Sequence, residues 1–190
     1  MMEKQERIRQ GKPIRMEDIP SIALYMDQVI QLFEQNYHSY KRNEDEKILT
    51  KTMINNYAKG KLLPPIKNKR YSKEHILTMS LIYQLKGILS IQDIKSTLES
   101  LNEEVQKEEV NIEDVYDMYV DMINENEEQF NENVDWMEKS MAQNYNEKIS
   151  QPNNEMKEVL MINSLVHMSN LYRRLAEAKI DSLSREENRK

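Results

Sequence analysis

Between positions 51 and 70 the chain gathers residues that could recognise a polyanion and read base edges. In "KTMINNYAK", residues 51–59, a helical step of about 100° places Lys51, Thr52, Asn55, Asn56 and Lys59 within an arc of about 140°. Met53, Ile54, Tyr57 and Ala58 fall on the opposite side, the only one that can pack. Asn can form two hydrogen bonds with adenine, Thr can touch a thymine methyl, and Lys can reach guanine or a phosphate. A solvated helix face normally mixes Glu with Lys, yet no Asp or Glu occurs from Lys47 through Lys73. Lys61, Lys67, Lys69 and Arg70 continue the basic run across Pro64 and Pro65, where they could hold a phosphate backbone.

Other chemistries find little support. His38, His75 and His167 are scattered, none four residues from another, so no metalloprotease-type pair or Ser/His/Asp pattern is present. His167, on an apolar stretch, reads as a packed or partly exposed core histidine. The carboxylates at 113, 117 and 121 share one helical face and read as a solvated stripe rather than a cation site. With three glycines and no cysteine, phosphate-cradling glycine loops, disulfides and thiolate metal sites are excluded. No catalytic residue, metal or cofactor is expected, and the chain is not expected to be an enzyme. The N-terminus lacks the apolar core of a signal peptide and no membrane segment stands out, so a cytoplasmic protein is expected.

Charge is divided along the chain. The net charge is −6, but residues 41–75 hold ten Lys and Arg against four acids, and residues 101–150 hold fifteen acids against three Lys. The negative segment could keep the rest of the molecule away from a phosphate backbone and leave one binding face.

The elements that must position these residues are helical. Leu, Met, Glu, Lys and Gln dominate, and β-branched residues are sparse. Residues 1–18 are charged and aperiodic and read as a mobile arm. A first amphipathic helix runs from Ser21, with apolar positions at 22, 25, 26, 29, 30, 33 and 37. A charged connection leads to a short helix capped by Thr50 and stopped near Lys59 by Gly60. The prolines end it, and "IKNKRY" is short enough for a two-stranded wing or an ordered loop. Ser72 caps a third helix ending near Gly87, and Ser90 with Asp93 caps a fourth. Two longer helical patterns follow, broken at "SQPNNE". The last, from about 154 to 184, carries Met161, Leu165, Met168, Tyr172 and Leu175 at heptad-like spacing. Packing within its own chain and pairing with a second copy both remain open for that seam. The tail, 185–190, reads as disordered.

Residues 53–98 resemble the DNA-binding region of the MerR family. Tyr57, Leu62, Leu63, Pro64 and Pro65 match its first part, Lys69 or Arg70 with Tyr71 its wing, and Ser90, Ile91, Asp93, Ile94 and Lys95 its last helix. The sequence departs from that pattern at Asn55, where the family has Arg, at Ala58, which replaces an acid, and at Gly60, one place early. The wing is also shorter, and one residue is added after Gly87. From about Asp18 to Leu101 the chain looks like the domain of unknown function 1836 family. The resemblance implies a winged helix-turn-helix domain over 19–102, followed by a helical region over 103–184 for dimerisation or interaction. It further implies a homodimer joined through the C-terminal helix, binding double-stranded DNA. The expected contacts are Lys51, Thr52, Asn55, Asn56 and Lys59 in the major groove, and Lys61, Lys67, Lys69 and Arg70 on the backbone. Tyr57 is expected in the core, and Tyr71 in the core more than with its hydroxyl on a phosphate; Lys41 and Arg42 could add phosphate contacts or form a solvated turn. No signature of an effector ligand is found.

One other reading competes: an adaptor on a degenerate helix-turn-helix scaffold that binds protein rather than DNA. Trp136 and the methionines at 118, 122, 137 and 141 would then supply an adaptable apolar surface on acidic helices.

Overall fold

The computed structural model describes residues 13–149 and 153–187. Within them are six α-helices and one two-stranded sheet: β1 (Leu24–Tyr25), α1 (Met26–Tyr37), α2 (Lys51–Lys59), β2 (Arg70–Tyr71), α3 (Lys73–Leu85), α4 (Ile91–Gln106), α5 (Ile112–Lys148) and α6 (Asn154–Glu187). The protein is mainly helical, as its composition requires. No helix among the described residues is long and apolar enough to cross a membrane.

The chain divides into two compact units, one ending at Val120 and the other starting at Asp121. The first unit is built around α3, which buries every residue from His75 to Ile82. A helix buried on all sides must be surrounded by other elements. Val29, Phe33 and Tyr37 from α1, Ile54 and Tyr57 from α2, Ile94 and Leu98 from α4, and Ile112 and Tyr116 from α5 join it in one core. The start of α5 thus belongs to the first unit, and the expected boundary at 102/103 is corrected to Val120.

The N-terminal arm is a second correction. Residues 1–12 lie outside the described residues, but Pro13, Ile14 and Ile19 are buried and Met16–Asp18 forms a 3-10 turn. Ile14 is drawn in by more than its side chain. The Tyr116 hydroxyl donates to the Ile14 carbonyl at 2.9 Å, and the Ser80 and Tyr116 hydroxyls lie 2.8 Å apart. Ser80 also bonds the Tyr37 hydroxyl. A carbonyl can only accept, so Tyr116 donates to Ile14, Ser80 donates to Tyr116, and Tyr37 donates to Ser80. This relay, directed one way, ties the N-terminal segment to α1, α3 and α5 inside the core. Burial, and next the neighbouring Tyr37, push the Tyr116 phenol far above its ordinary pKa, so it stays a neutral donor.

The predicted first helix begins five residues late. Leu24 and Tyr25 are extended and pair antiparallel with β2, in the register Leu24 with Tyr71 and Tyr25 with Arg70. Ile22 and Tyr25, counted in the apolar stripe, are exposed. Strand alternation explains Tyr25: its neighbour Leu24 points into the core, so Tyr25 points out.

In the second unit, Tyr145 near the end of α5 bonds Asn153, the residue before α6. Its hydroxyl donates to the Asn153 carbonyl and accepts from the Asn153 amide, both at 3.1 Å. Helix α6 runs through Glu187, three residues into the expected tail, and 188–190 lie outside the described residues. Of the heptad-like seam, Met161 and Met168 are half-buried, while Leu165, Tyr172 and Leu175 are exposed. His167 is exposed too, which corrects its placement in a core.

Candidate nucleic-acid interface

Helix α2 starts where the sequence says it should. Thr50 is its N-cap, accepting from the Met53 amide at 3.2 Å. Ile54 and Tyr57 are buried, Met53 and Ala58 half-buried, and Lys51, Thr52, Asn55, Asn56 and Lys59 are all exposed. Burial of the apolar side alone holds the polar side outward.

The helix ends in a Schellman motif. The Leu62 amide donates to the Tyr57 carbonyl at 2.9 Å and the Lys61 amide to the Ala58 carbonyl at 3.1 Å. The left-handed residue of such an ending is usually Gly, but here Gly60 is right-handed and Lys61 carries φ 58°. The glycine stop signal therefore sits one place before the position that needs it. Lys61→Gly should raise stability by about 1 kcal/mol, because a Cβ is disfavoured in this conformation. A higher urea midpoint with an unchanged slope checks it.

After the buried Leu62 and Leu63 and the two prolines, the wing closes as a two-residue hairpin. Lys67 and Arg70 form a bridge, with the Arg70 amide donating to the Lys67 carbonyl at 3.0 Å. Asn68 and Lys69 at its tip have φ of 53° and 56°, the pair of positive values that a type I′ turn demands. Lys67, Asn68, Lys69 and Arg70 are exposed, and Tyr71 is buried. Tyr57 and Tyr71 are thus both in the core, as expected.

Arg70 is held in place. Its guanidinium donates to the Tyr25 hydroxyl at 2.9 Å and to the Ala23 carbonyl at 3.4 Å, and its central carbon lies 4.5 Å from the Tyr25 ring centroid. Tyr25 positions this cation by hydrogen bond and cation–π contact together. The helical stripe had claimed Tyr25 for the core, which concealed this role.

Under the wing, His75 joins three segments. Its Nδ1 accepts from the Ser72 amide at 3.2 Å and lies 2.6 Å from Ser72 Oγ, while Nε2 faces the Pro64 carbonyl at 3.3 Å. Nδ1 must accept, so Nε2 carries the proton and donates to Pro64. The Tyr71 ring meets the imidazole edge-on at 5.8 Å. Burial lowers the His75 pKa, favouring this neutral form.

Two cations near α2 are engaged by carboxylates. Lys51 Nζ lies 2.7 Å from Asp27 Oδ1 of α1, with both side chains largely exposed. Lys41 is paired with Glu34, and its side chain is only 10% exposed. That removes Lys41 from the phosphate contacts considered after the first helix. The bond from Lys41, first, lowers the Glu34 pKa. Arg42 is exposed in a turn whose backbone amide donates to Glu46 at 3.0 Å. Lys61 lines a groove of about 220 Å³ with Leu62, Lys95, Glu99 and Glu103 among its walls. Carboxylates accompany Lys61 there, in contrast to the acid-free sequence of α2.

Among the described residues no cluster of three or more His, Cys, Asp or Glu is placed to hold a metal ion. What the first unit presents is a small helical domain on which the acid-free polar face of α2 and a basic hairpin are exposed. The chain belongs to the family described as Domain of unknown function (DUF1836), whose model matches residues 14–119, more than half its length. The match begins at the buried Ile14 and stops one residue before the end of the first compact unit. No curated protein and no solved structure matches the chain.

Proposed function

We propose that this protein is a DNA-binding transcriptional regulator whose first unit is a MerR-like winged helix-turn-helix. In this reading α2 enters the major groove, and the wing at 66–71 lies on the flanking phosphate backbone. The observation that carries it is the exposed set Lys51, Thr52, Asn55, Asn56 and Lys59, in a stretch without acids, above a buried Ile54 and Tyr57. The order of helix, turn, short helix, Pro-rich turn and tight hairpin supports the winged architecture. Lys61 and Lys69 hold left-handed backbone where Gly is usual, so a cation is kept at both places; another left-handed residue, Glu108, lies outside this face.

A regulator of this kind reads two half-sites as a dimer. The exposed Leu165, Tyr172 and Leu175 on α6 suit pairing with the same helix of a second copy. Selection of duplex fragments from total genomic DNA should recover a recurrent sequence with two symmetric half-sites, and light scattering should give a dimer at tens of micromolar. Failure to enrich any sequence, or a monomer, contradicts the two-half-site reading.

A second reading is favoured by one observation. Trp136, Phe130 and Met122 are exposed on the acidic α5, as an adaptor for a protein partner would require. Under that reading the chain retains no duplex in the same selection.

A further inference from the structure

The geometry points to Asp27 as a phosphate surrogate built into the proposed DNA-binding face, an inference that rests on the reading of that face given above. No acid lies on α2 itself. Yet Lys51, its first residue, meets a carboxylate at 2.7 Å, brought by the first turn of α1. The α1 N-terminus explains why an acid is tolerated at position 27, since a helix start favours negative charge. It does not explain the ion pair.

Stability does not explain the pair either. The side chains are 63% and 76% exposed, and an exposed pair of this kind adds little to a fold. Its consequence falls on the binding face. In the free protein, Asp27 occupies the cation that an incoming phosphate would otherwise meet first. A DNA phosphate must take the place of Asp27, so the Lys51–Asp27 pair has to break before the lysine can serve the backbone. Two unit charges at about 4 Å in water are worth roughly a fivefold change in affinity. Asp27 thus restrains general affinity for duplex while leaving Asn55, Asn56 and the wing untouched.

The test uses the full chain, a random-sequence duplex and four proteins: wild type, Asp27→Asn, Lys51→Gln and the double variant. Asp27→Asn should bind about fivefold more tightly at low salt, because its Lys51 is free to meet the phosphate without first breaking an ion pair. With Lys51→Gln in place, the gain should vanish, because Asp27 acts through Lys51. A gain that persists in the Lys51→Gln background reduces Asp27 to a simple repelling charge and overturns the surrogate role. Equal binding by wild type and Asp27→Asn also overturns it, while leaving the proposed face intact. If none of the four proteins binds duplex, the face itself fails and the surrogate with it. Thermal melting of each variant confirms that Asn at position 27 leaves the fold in place.

Discussion

Tyr116→Phe is expected to destabilise the first unit by about 2 to 4 kcal/mol, although it removes a single oxygen atom. That oxygen accepts from Ser80 and donates to the Ile14 carbonyl. Both partners are buried: Ile14 and Ser80 are each 0% exposed. Without the hydroxyl the carbonyl keeps no donor there, and an unsatisfied buried polar group costs about 1 to 3 kcal/mol. Ser80 loses its acceptor as well, which brings the total into the stated range. For a unit of this size the melting temperature should fall by roughly 10 °C. Ser80→Ala, which interrupts the same relay at its middle, should cost a similar amount. Tyr172→Phe, on an exposed side chain of α6, should change stability by less than about 0.5 kcal/mol. Equal melting of Tyr116→Phe and wild type would remove the relay as a source of stability.

The second large effect concerns binding. Asn55→Ala combined with Lys69→Gly should weaken duplex affinity about thirtyfold or more at physiological salt. A bidentate Asn–adenine contact contributes about 1 to 3 kcal/mol of discrimination, and Lys69 removes one phosphate contact from the salt dependence. Glycine is the informative replacement at 69. Lys69 has φ 56° at the second position of the hairpin turn, so Gly leaves Asn-Gly, the pair that turn most favours. The wing then stays closed while its charge is lost. Both positions are exposed, so the melting temperature should hold. A variant that binds duplex as wild type does would take Asn55 and Lys69 out of the interface.

Much of the helical layout was legible in the sequence because its signals are local. Thr50, Ser72 and Ser90 occupy N-cap positions, and the helices they open start within one residue of the expected place. The exposed and buried sides of α2 followed from a step of about 100° per residue alone. The missed features are those that depend on distant partners. β1 is two residues long and pairs with residues 70 and 71, so nothing in its own neighbourhood distinguishes it from the start of a helix. Tyr25 and Ile22 matched a helical period by accident. The relay draws Ile14, Tyr37, Ser80 and Tyr116 from four separate segments, and a Tyr in an apolar stripe looks the same whether its hydroxyl is bonded or not. Ile14 itself lies in a charged stretch without periodicity, yet its backbone carbonyl anchors that stretch. In the candidate site, the Asn and Lys residues announced themselves by type and spacing. Asp27 did not, because its effect arises only when α1 is folded beside Lys51.

The most direct measurement is the affinity of the full chain for duplex DNA, read by fluorescence anisotropy as salt rises from about 50 to 200 mM. If α2 and the wing neutralise several phosphates, log affinity should fall linearly with log salt, by about 0.9 for each phosphate contacted. Absence of binding to any duplex at the lowest salt, or an affinity that does not respond to salt, would contradict the account.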